Sequence, residues 1–362
     1  MLVRLVREMD DAAHDTVLYK VIEKVAKQVN KKHDIEAAIP GKSEVSADVA
    51  VWVPTASVLL NLLLGNDKYG IAAGRIFEIF GDNSHGKSTL AQIIMNAFQA
   101  LGGVSVLLDS ESSWNRVRAI AMGHNPQRHL AVDIETCEMG FDVTSSIVEE
   151  FKLTLKGKVP VVIVWDTIAA SPTDDEKKGD EYASGMGFKP RLIRRELRRL
   201  TPELKKIQAS MVFVNQTIES MKPNRSGVKT TPGGGGIKFW ASQRLQVTKV
   251  SQYARLENKK ERAGIISEVK VVKSKLNPPF QSVDIPINFE TGVDPIREVV
   301  NYLHDHTSVY NTSGAYRRIV GYGEEDITCY EKDIPSKFKE HPGLFDWMVE
   351  QVKSHWLTGE TF

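Results

Sequence analysis

The run Gly81-Asp82-Asn83-Ser84-His85-Gly86-Lys87-Ser88-Thr89 carries two glycines, a lysine and a hydroxyl residue at the spacing that lets a chain wrap phosphate. Apolar Ile76-Phe77-Glu78-Ile79-Phe80 precedes it, and Leu90 to Phe98 follows with a helical pattern, so the run joins a strand to a helix. In that setting backbone N–H groups and the positive end of the helix dipole face phosphate oxygens. Lys87 would reach the β- and γ-phosphates, and the Ser88 hydroxyl would hold Mg²⁺. The chemistry implied is binding and cleavage of a nucleoside triphosphate.

Two further carboxylates stand where such chemistry needs them. The apolar run Val161–Trp165 delivers Asp166, which would share Mg²⁺ with Ser88, because that ion takes oxygen ligands and keeps several waters. The alternative is an aspartate that caps the next helix. Leu107-Leu108-Asp109-Ser110-Glu111 places Glu111 just beyond another strand, where it could orient and deprotonate the attacking water. Taken alone, a glutamate there is more often solvated or capping. A third strand, Met211–Asn215, leads into Gln216. Ligands of open α/β sheets lie beyond the carboxyl ends of the strands, so all three ends could face one nucleotide.

Positioning these groups requires an alternating α/β core. Strand-like segments Ile76–Phe80, Val104–Leu108, Val161–Trp165, Met211–Asn215, Leu245–Val250 and Ile266–Val272 alternate with helical ones, which predicts a mostly parallel twisted sheet. Residues 1–46 read as an N-terminal helical segment and linker, 47–290 as the core, and 291–362 as a small α+β C-terminal domain ending in an amphipathic helix near Leu344–Val352. The chain has 362 residues, 41% hydrophobic and 26% charged, with net charge +1, so any nucleic-acid surface must be local. Cys137 and Cys329 are far apart, which speaks against a disulfide framework and fits a reducing compartment. The apolar patch Val58–Leu64 contains Asn61 and is too short to span a bilayer, so a cytoplasmic protein with no membrane partner is expected.

Gly187 to Leu200 is the most basic stretch. Ile193, Leu197, Leu200 and Leu204 recur at helical spacing, which sets Arg191, Arg195 and Arg198 on another face with Arg194 beside them. Arginines with few compensating acids suit phosphate contacts; an isolated helix of this kind is as often a solvated face. Before it, Met186 between two glycines could wedge between bases. After it, the stretch from Thr217 to Gly236 carries Lys222, Arg225, Lys229 and the glycines Gly233, Gly234 and Gly235. A structureless loop of that length in a compact core is usually functional or disordered.

The segments Gly81–Thr89, Leu108–Glu111, Val164–Thr167, Phe213–Gln216, Lys238–Ser242 and Val272–Lys275 occur in the order and approximate spacing of RecA-type recombinases, over roughly residues 50–290. The chain resembles that RecA/UvsX-like family, phage-encoded members among them. The resemblance implies a RecA-like ATPase core using ATP and Mg²⁺, with Glu111 as catalytic base and Gln216 as sensor of the γ-phosphate. It implies that Lys273 and Lys275 reach the nucleotide of the neighbouring subunit. Arg191 and Arg198 would line a DNA channel, and the residue matching Met186 lies between base triplets. It further implies helical filaments on single-stranded DNA, pairing and strand exchange with duplex, docking of the N-terminal helix on the next subunit, and single-strand-binding and mediator proteins as partners. The nucleoside end departs from the pattern: Asn115 and Arg118 stand where bacterial members place Asp and Tyr, and Phe289 matches a further aromatic near the base. Two other readings share the residues: a hexameric helicase or motor on the same core, and a non-catalytic ATP-gated DNA scaffold. Filaments against rings separate the first, and a turnover assay the second.

Overall fold

A computed structural model describes residues 31, 49–154, 157, 159–179, 187–219, 229–254 and 261–360. Contacts divide the chain into two compact units, Met1–Ala50 and Val51–Phe362. The first, with the expected N-terminal helix, lies outside the described residues apart from Lys31, Val49 and Ala50.

In chain order the second unit contains β1 (Trp52–Val53), α1 (Val58–Gly65), β2 (Ile71–Ala72), β3 (Ile76–Gly81), α2 (Lys87–Ala100), β4 (Val104–Asp109), α3 (Arg116–Ala121), β5 (His129–Asp133), α4 (Cys137–Thr154) and β6 (Val161–Asp166). It continues with α5 (Asp174–Lys177), α6 (Phe188–Lys206), β7 (Ala209–Gln216), β8 (Ile218–Glu219), β9 (Lys229–Thr230), α7 (Gly235–Trp240), β10 (Gln243–Ala254), β11 (Arg262–Ser274), β12 (Ser282–Asn288) and β13 (Gly292–Val293). Then come α8 (Pro295–His306), β14 (Tyr310–Ser313), β15 (Tyr316–Ile319), β16 (Ile327–Tyr330), α9 (Ile334–Glu340) and α10 (Leu344–Thr358).

A nine-stranded sheet in the order β13-β12-β11-β10-β3-β7-β6-β4-β5 forms the core. The six strands from β10 to β5 run parallel, and β11, β12 and β13 add an antiparallel flank. Central β3 and β6 are buried along their whole length, as strands covered on both faces are, and apart from Glu78 and Asp166 they carry no charged residue. One face packs Trp165 and Phe213 against Phe141 of α4 and the apolar stripe of α6. All six strand segments expected from the sequence lie within β3, β4, β6, β7, β10 and β11.

The apolar patch at Val58–Leu64 is α1, a helix buried throughout. Its Asn61 is at home there because Asn61 Oδ1 accepts from the Thr55 N–H at 2.7 Å while Nδ2 donates to the Thr55 carbonyl at 2.9 Å. Glu298 of α8, fully buried, accepts from the Ser57 hydroxyl and, at 2.9 Å, from the Val58 N–H, so its carboxyl closes the amino-terminal end of α1. Burial pushes that carboxyl up to about 8, against the opposing pull of those hydrogen bonds.

Candidate active site and nucleic-acid interface

Gly81 ends β3 because nothing larger fits: a Cβ there would lie 2.1 Å from the Val247 carbonyl oxygen. The loop turns through Ser84 at φ 61° and Gly86 at φ 92° before α2 starts at Lys87. Asn83 and Ser84 are exposed, and Asp82 is half-buried. The Ser267 hydroxyl donates to the His85 carbonyl at 2.8 Å, which pins the loop to β11. No side chain caps α2, so its first N–H groups are left for an anion.

Lys87 is 7% exposed and its Nζ donates to the Asp82 carbonyl at 2.7 Å. Burial holds its ammonium below the ordinary value, while the carboxylates of Asp166, Glu111 and Asp82 pull the other way. Thr89, at the start of α2, is buried.

Asp166 ends β6 directly opposite Asp109 of β4. It is 6% exposed, and burial pushes its carboxyl up to about 6 despite a hydrogen bond from Ser88. Its Oδ1 has no hydrogen-bond partner among the described residues. Leaving such an oxygen buried and unsatisfied costs about 1–3 kcal/mol. A divalent cation shared with Ser88 would satisfy it, and Mg²⁺ needs few protein ligands when phosphate and water complete its shell. The two residues therefore fit the ion.

Glu111 is exposed, and its Oε1 accepts from Gln216 Nε2 at 2.9 Å and from Thr167 Oγ1 at 3.1 Å. Both of these bonds fall on Oε1, and Oε2 has no partner among the described residues. Asp109 holds the loop in place, its carboxylate accepting from the N–H groups of Glu111 at 3.1 Å and Trp114 at 3.0 Å. Gln216 stands opposite Gly81 in the β3–β7 register, so carboxylate, amide and phosphate loop meet at one sheet edge. Thr167 was invisible as a partner of Glu111 from sequence; its only signal is a hydroxyl immediately after a strand-end carboxylate.

Asn115, Arg118 and Phe289 gather at the rim. Asn115 Oδ1 accepts from the Arg118 N–H at 2.9 Å and so caps α3. The Arg118 guanidinium donates to Thr89 Oγ1 at 2.8 Å and to the Phe289 carbonyl at 2.9 Å. Phe289 leaves its ring 43% exposed. A cleft of about 70 Å³ between α2 and α3 is lined by Ser88, Asp109, Trp114, Asn115, Arg118 and Asp166 among others.

Lys273 and Lys275 stand apart from this group. Lys273 pairs with Arg244, which pairs with Glu78, three residues before Gly81. At about 3.3 Å per residue that is roughly 10 Å back toward the amino end of β3. Lys273 Nζ donates to the carbonyls of Lys238 at 2.6 Å and Phe239 at 3.0 Å, and Lys275 Nζ to that of Phe239 at 3.1 Å.

The basic helix is α6, opened by Gly187 at φ 105°. Leu192, Ile193, Leu197, Leu200 and Leu204 are buried, whereas Arg194, Arg195, Arg198 and Arg199 are exposed along with Arg191. The arginines fall into two sets. Arg195 and Arg199 hold buried Glu196 at 2.8 and 2.9 Å, whereas Arg191, Arg194 and Arg198 have no ion pair among the described residues. Gly233 and Gly234, at φ 83° and 62°, lie against the first turns of α6; a Cβ on Gly234 would come within 2.9 Å of Pro190. Gly235 faces open space at the start of α7. A groove of about 270 Å³ between the two helices is lined by Pro190, Arg191, Arg194, Gly235, Gly236 and Phe239. Lys229 lies in β9, with only its backbone described, and Met186, Lys222 and Arg225 lie outside the described residues.

No described helix is long and apolar enough to cross a membrane. The RecA N-terminal domain family model matches residues 20–294. The protein RecA of Thermus thermophilus is 32% identical over 333 residues, covering 92% of this chain and 93% of its own. That of Aquifex aeolicus is 28% identical over 92% of each chain, and that of Symbiobacterium thermophilum 30% over 94% and 93%. Such end-to-end similarity goes with a phosphate loop, strand-end carboxylates and a paired amide on one parallel sheet: the chain belongs to the RecA family.

Proposed function

We propose the following division of labour for this RecA-family chain, a DNA-dependent ATPase that uses ATP and Mg²⁺, forms filaments on single-stranded DNA and exchanges strands with duplex. The loop Gly81–Thr89 and the amino end of α2 bind the phosphates, and Lys87 neutralises the β- and γ-phosphates. Ser88 and Asp166 hold Mg²⁺, which when bound supplies charge neutralisation at the phosphate oxygens. Glu111 takes the proton of the attacking water through Oε2. Gln216 holds Glu111 in readiness and, in contact with the γ-phosphate, sets the state of the loop that follows it. Asn115, Arg118 and the Phe289 ring receive the base.

The single observation that carries this reading is the Glu111–Gln216 hydrogen bond at 2.9 Å, which joins the hydrolytic carboxylate to the strand that enters the DNA loop. Arg191, Arg194 and Arg198, with Gly187 and the glycines Gly233 to Gly235, contact the DNA backbone; Met186, Lys222, Arg225 and Lys229 extend that surface. Lys273 and Lys275 act on ATP bound by the adjacent subunit, a role their distance from their own phosphate loop favours. Residues 1–46 serve as the docking segment toward that subunit, and 291–362 as a small accessory domain.

The deciding experiment measures ATP hydrolysis with and without single-stranded DNA alongside microscopy of the product. Stimulation by DNA together with helical filaments is expected. Closed rings, or turnover indifferent to DNA, would overturn the assignment of these residues.

A further inference from the structure

Glu78 is the one charged side chain in β3, and it is fully buried in the middle of the sheet. Both of its oxygens are used. Oε1 accepts from Asn215 Nδ2 at 3.0 Å, and Oε2 pairs with Arg244 Nε at 2.5 Å. Burying a carboxylate without a partner is costly, and a buried pair is often replaceable by apolar side chains without loss of stability. Its presence at the centre of the sheet therefore calls for a use beyond holding the fold.

What the two partners touch supplies that use. Asn215 Oδ1 accepts from the N–H of Gln216 at 3.0 Å, and Asn215 Nδ2 also donates to the Pro232 carbonyl at 3.2 Å, where the long loop returns to the core. Arg244, its guanidinium 4.7 Å over the Phe80 ring, stands opposite Lys273 in the β10–β11 register. Lys273 and Lys275 in turn hold the last carbonyls of α7, whose Lys238 donates to Thr230 of the returning loop at 2.8 Å. Every link is a hydrogen bond, an ion pair or a register neighbour.

We infer that Glu78 is a positioning residue that ties the Gln216 end of β7 to the lysine pair at the carboxyl end of β11, by holding Asn215 with one oxygen and Arg244 with the other. The inference rests on the role given above to Lys273 and deepens it. Replacing the carboxylate with an amide of the same shape leaves one acceptor for the two donors, Asn215 Nδ2 and Arg244 Nε, and leaves Arg244 as an unopposed cation beside Lys273.

The charges facing Lys273 make the consequence measurable. Burial is the largest influence on its ammonium and brings it down to about 8; Lys275, just past the end of the strand, and Arg244 from β10 push the same way, and Glu78 from β3 opposes them. Losing the one carboxylate in that set lowers it further.

The test compares wild type, Glu78→Gln, Glu78→Gln/Arg244→Gln and Lys273→Ala in DNA-stimulated ATP hydrolysis across pH. Glu78→Gln is expected to lose at least about tenfold in kcat with KM for ATP unchanged, and its alkaline limb should move to lower pH. The double variant removes both charges, so its limb should return toward that of wild type while kcat stays low; it also serves if the single variant does not fold. Wild-type kcat and an unmoved limb in a folded glutamine variant, beside an inactive Lys273→Ala, overturn the inference alone. Full activity of Lys273→Ala overturns the trans role and this inference with it.

Discussion

Two groups of charged residues on this sheet are treated in opposite ways. At the carboxyl ends of the central strands, Lys87 and Asp166 are more than nine-tenths buried, and Glu111, Gln216 and Thr167 are tied to one another. On α6, Arg191, Arg194 and Arg198 are exposed and have no ion pair among the described residues. Chemistry at a phosphate needs groups fixed and desolvated before the substrate arrives. Binding a uniform polyanion needs only charge that is free to meet it. One helix shows both treatments: Arg195 and Arg199 are bound to Glu196, and their three neighbours are not.

The contrast breaks most sharply at the lysine pair, which belongs to neither group within its own subunit. Changing Lys273 and Lys275 to Ala should cut DNA-stimulated hydrolysis by about 10³–10⁵-fold, as loss of a finger supplied in trans does. Mixing this variant with Lys87→Ala should recover some turnover, since mixed interfaces restore one complete site; a silent mixture that still co-assembles on DNA would place the lysines elsewhere. Next in size is Glu111→Gln, expected to lose about 10²–10⁴-fold in kcat while still binding ATP and Mg²⁺. Wild-type turnover in that variant would remove Glu111 from the mechanism.

Asp166 gives a milder, pH-dependent effect. Its carboxyl is raised to about 6, and the cation requires the charged form, so protons compete with Mg²⁺ below that pH. Apparent Mg²⁺ affinity in the presence of ATP should fall by about tenfold for each pH unit below about 6 and level off above about 7. Calorimetric titrations between about pH 5 and 8 that show no slope would contradict the burial-raised carboxyl.

The smallest effect belongs to the exposed group. Arg198→Ala should weaken single-stranded DNA binding uniformly over sequence and reduce the salt slope by about 0.7. Arg195→Ala should leave that slope nearly unchanged, because its guanidinium is already held by Glu196. Equal slopes for the two variants would erase the distinction between free and paired arginines.

The phosphate loop, its flanking strand and helix and the apolar stripe of α6 were all legible in the sequence, because each is a local pattern of residue types. Strands β5 and β12 were not: partly exposed His129–Asp133 has an apolar run of only three residues, Leu130-Ala131-Val132, and Pro286 interrupts Ser282–Asn288. Nor was the pairing of Glu111 with Thr167, or of Glu78 with Asn215 and Arg244, since these contacts join residues 56, 137 and 166 positions apart. Sorting the arginines of α6 likewise depended on a glutamate whose burial only the packing reveals. Spacing locates the glycine loop between β3 and α2; which side chains hold Glu111 is decided by how strands are ordered across the sheet.

The carboxyl of Glu298 at the head of α1 has a consequence for the order in which the protein can be made. α1 is apolar on nearly every side, yet the group that closes it is made 240 residues later. At about 5–20 residues per second, roughly 10–50 s of synthesis separate the two. Over that interval α1 cannot reach its final burial, and for much of it β3 still lacks its neighbours β7 and β10. The nascent chain must therefore carry a greasy helix, and for a time an unpaired central strand, until α8 has been made.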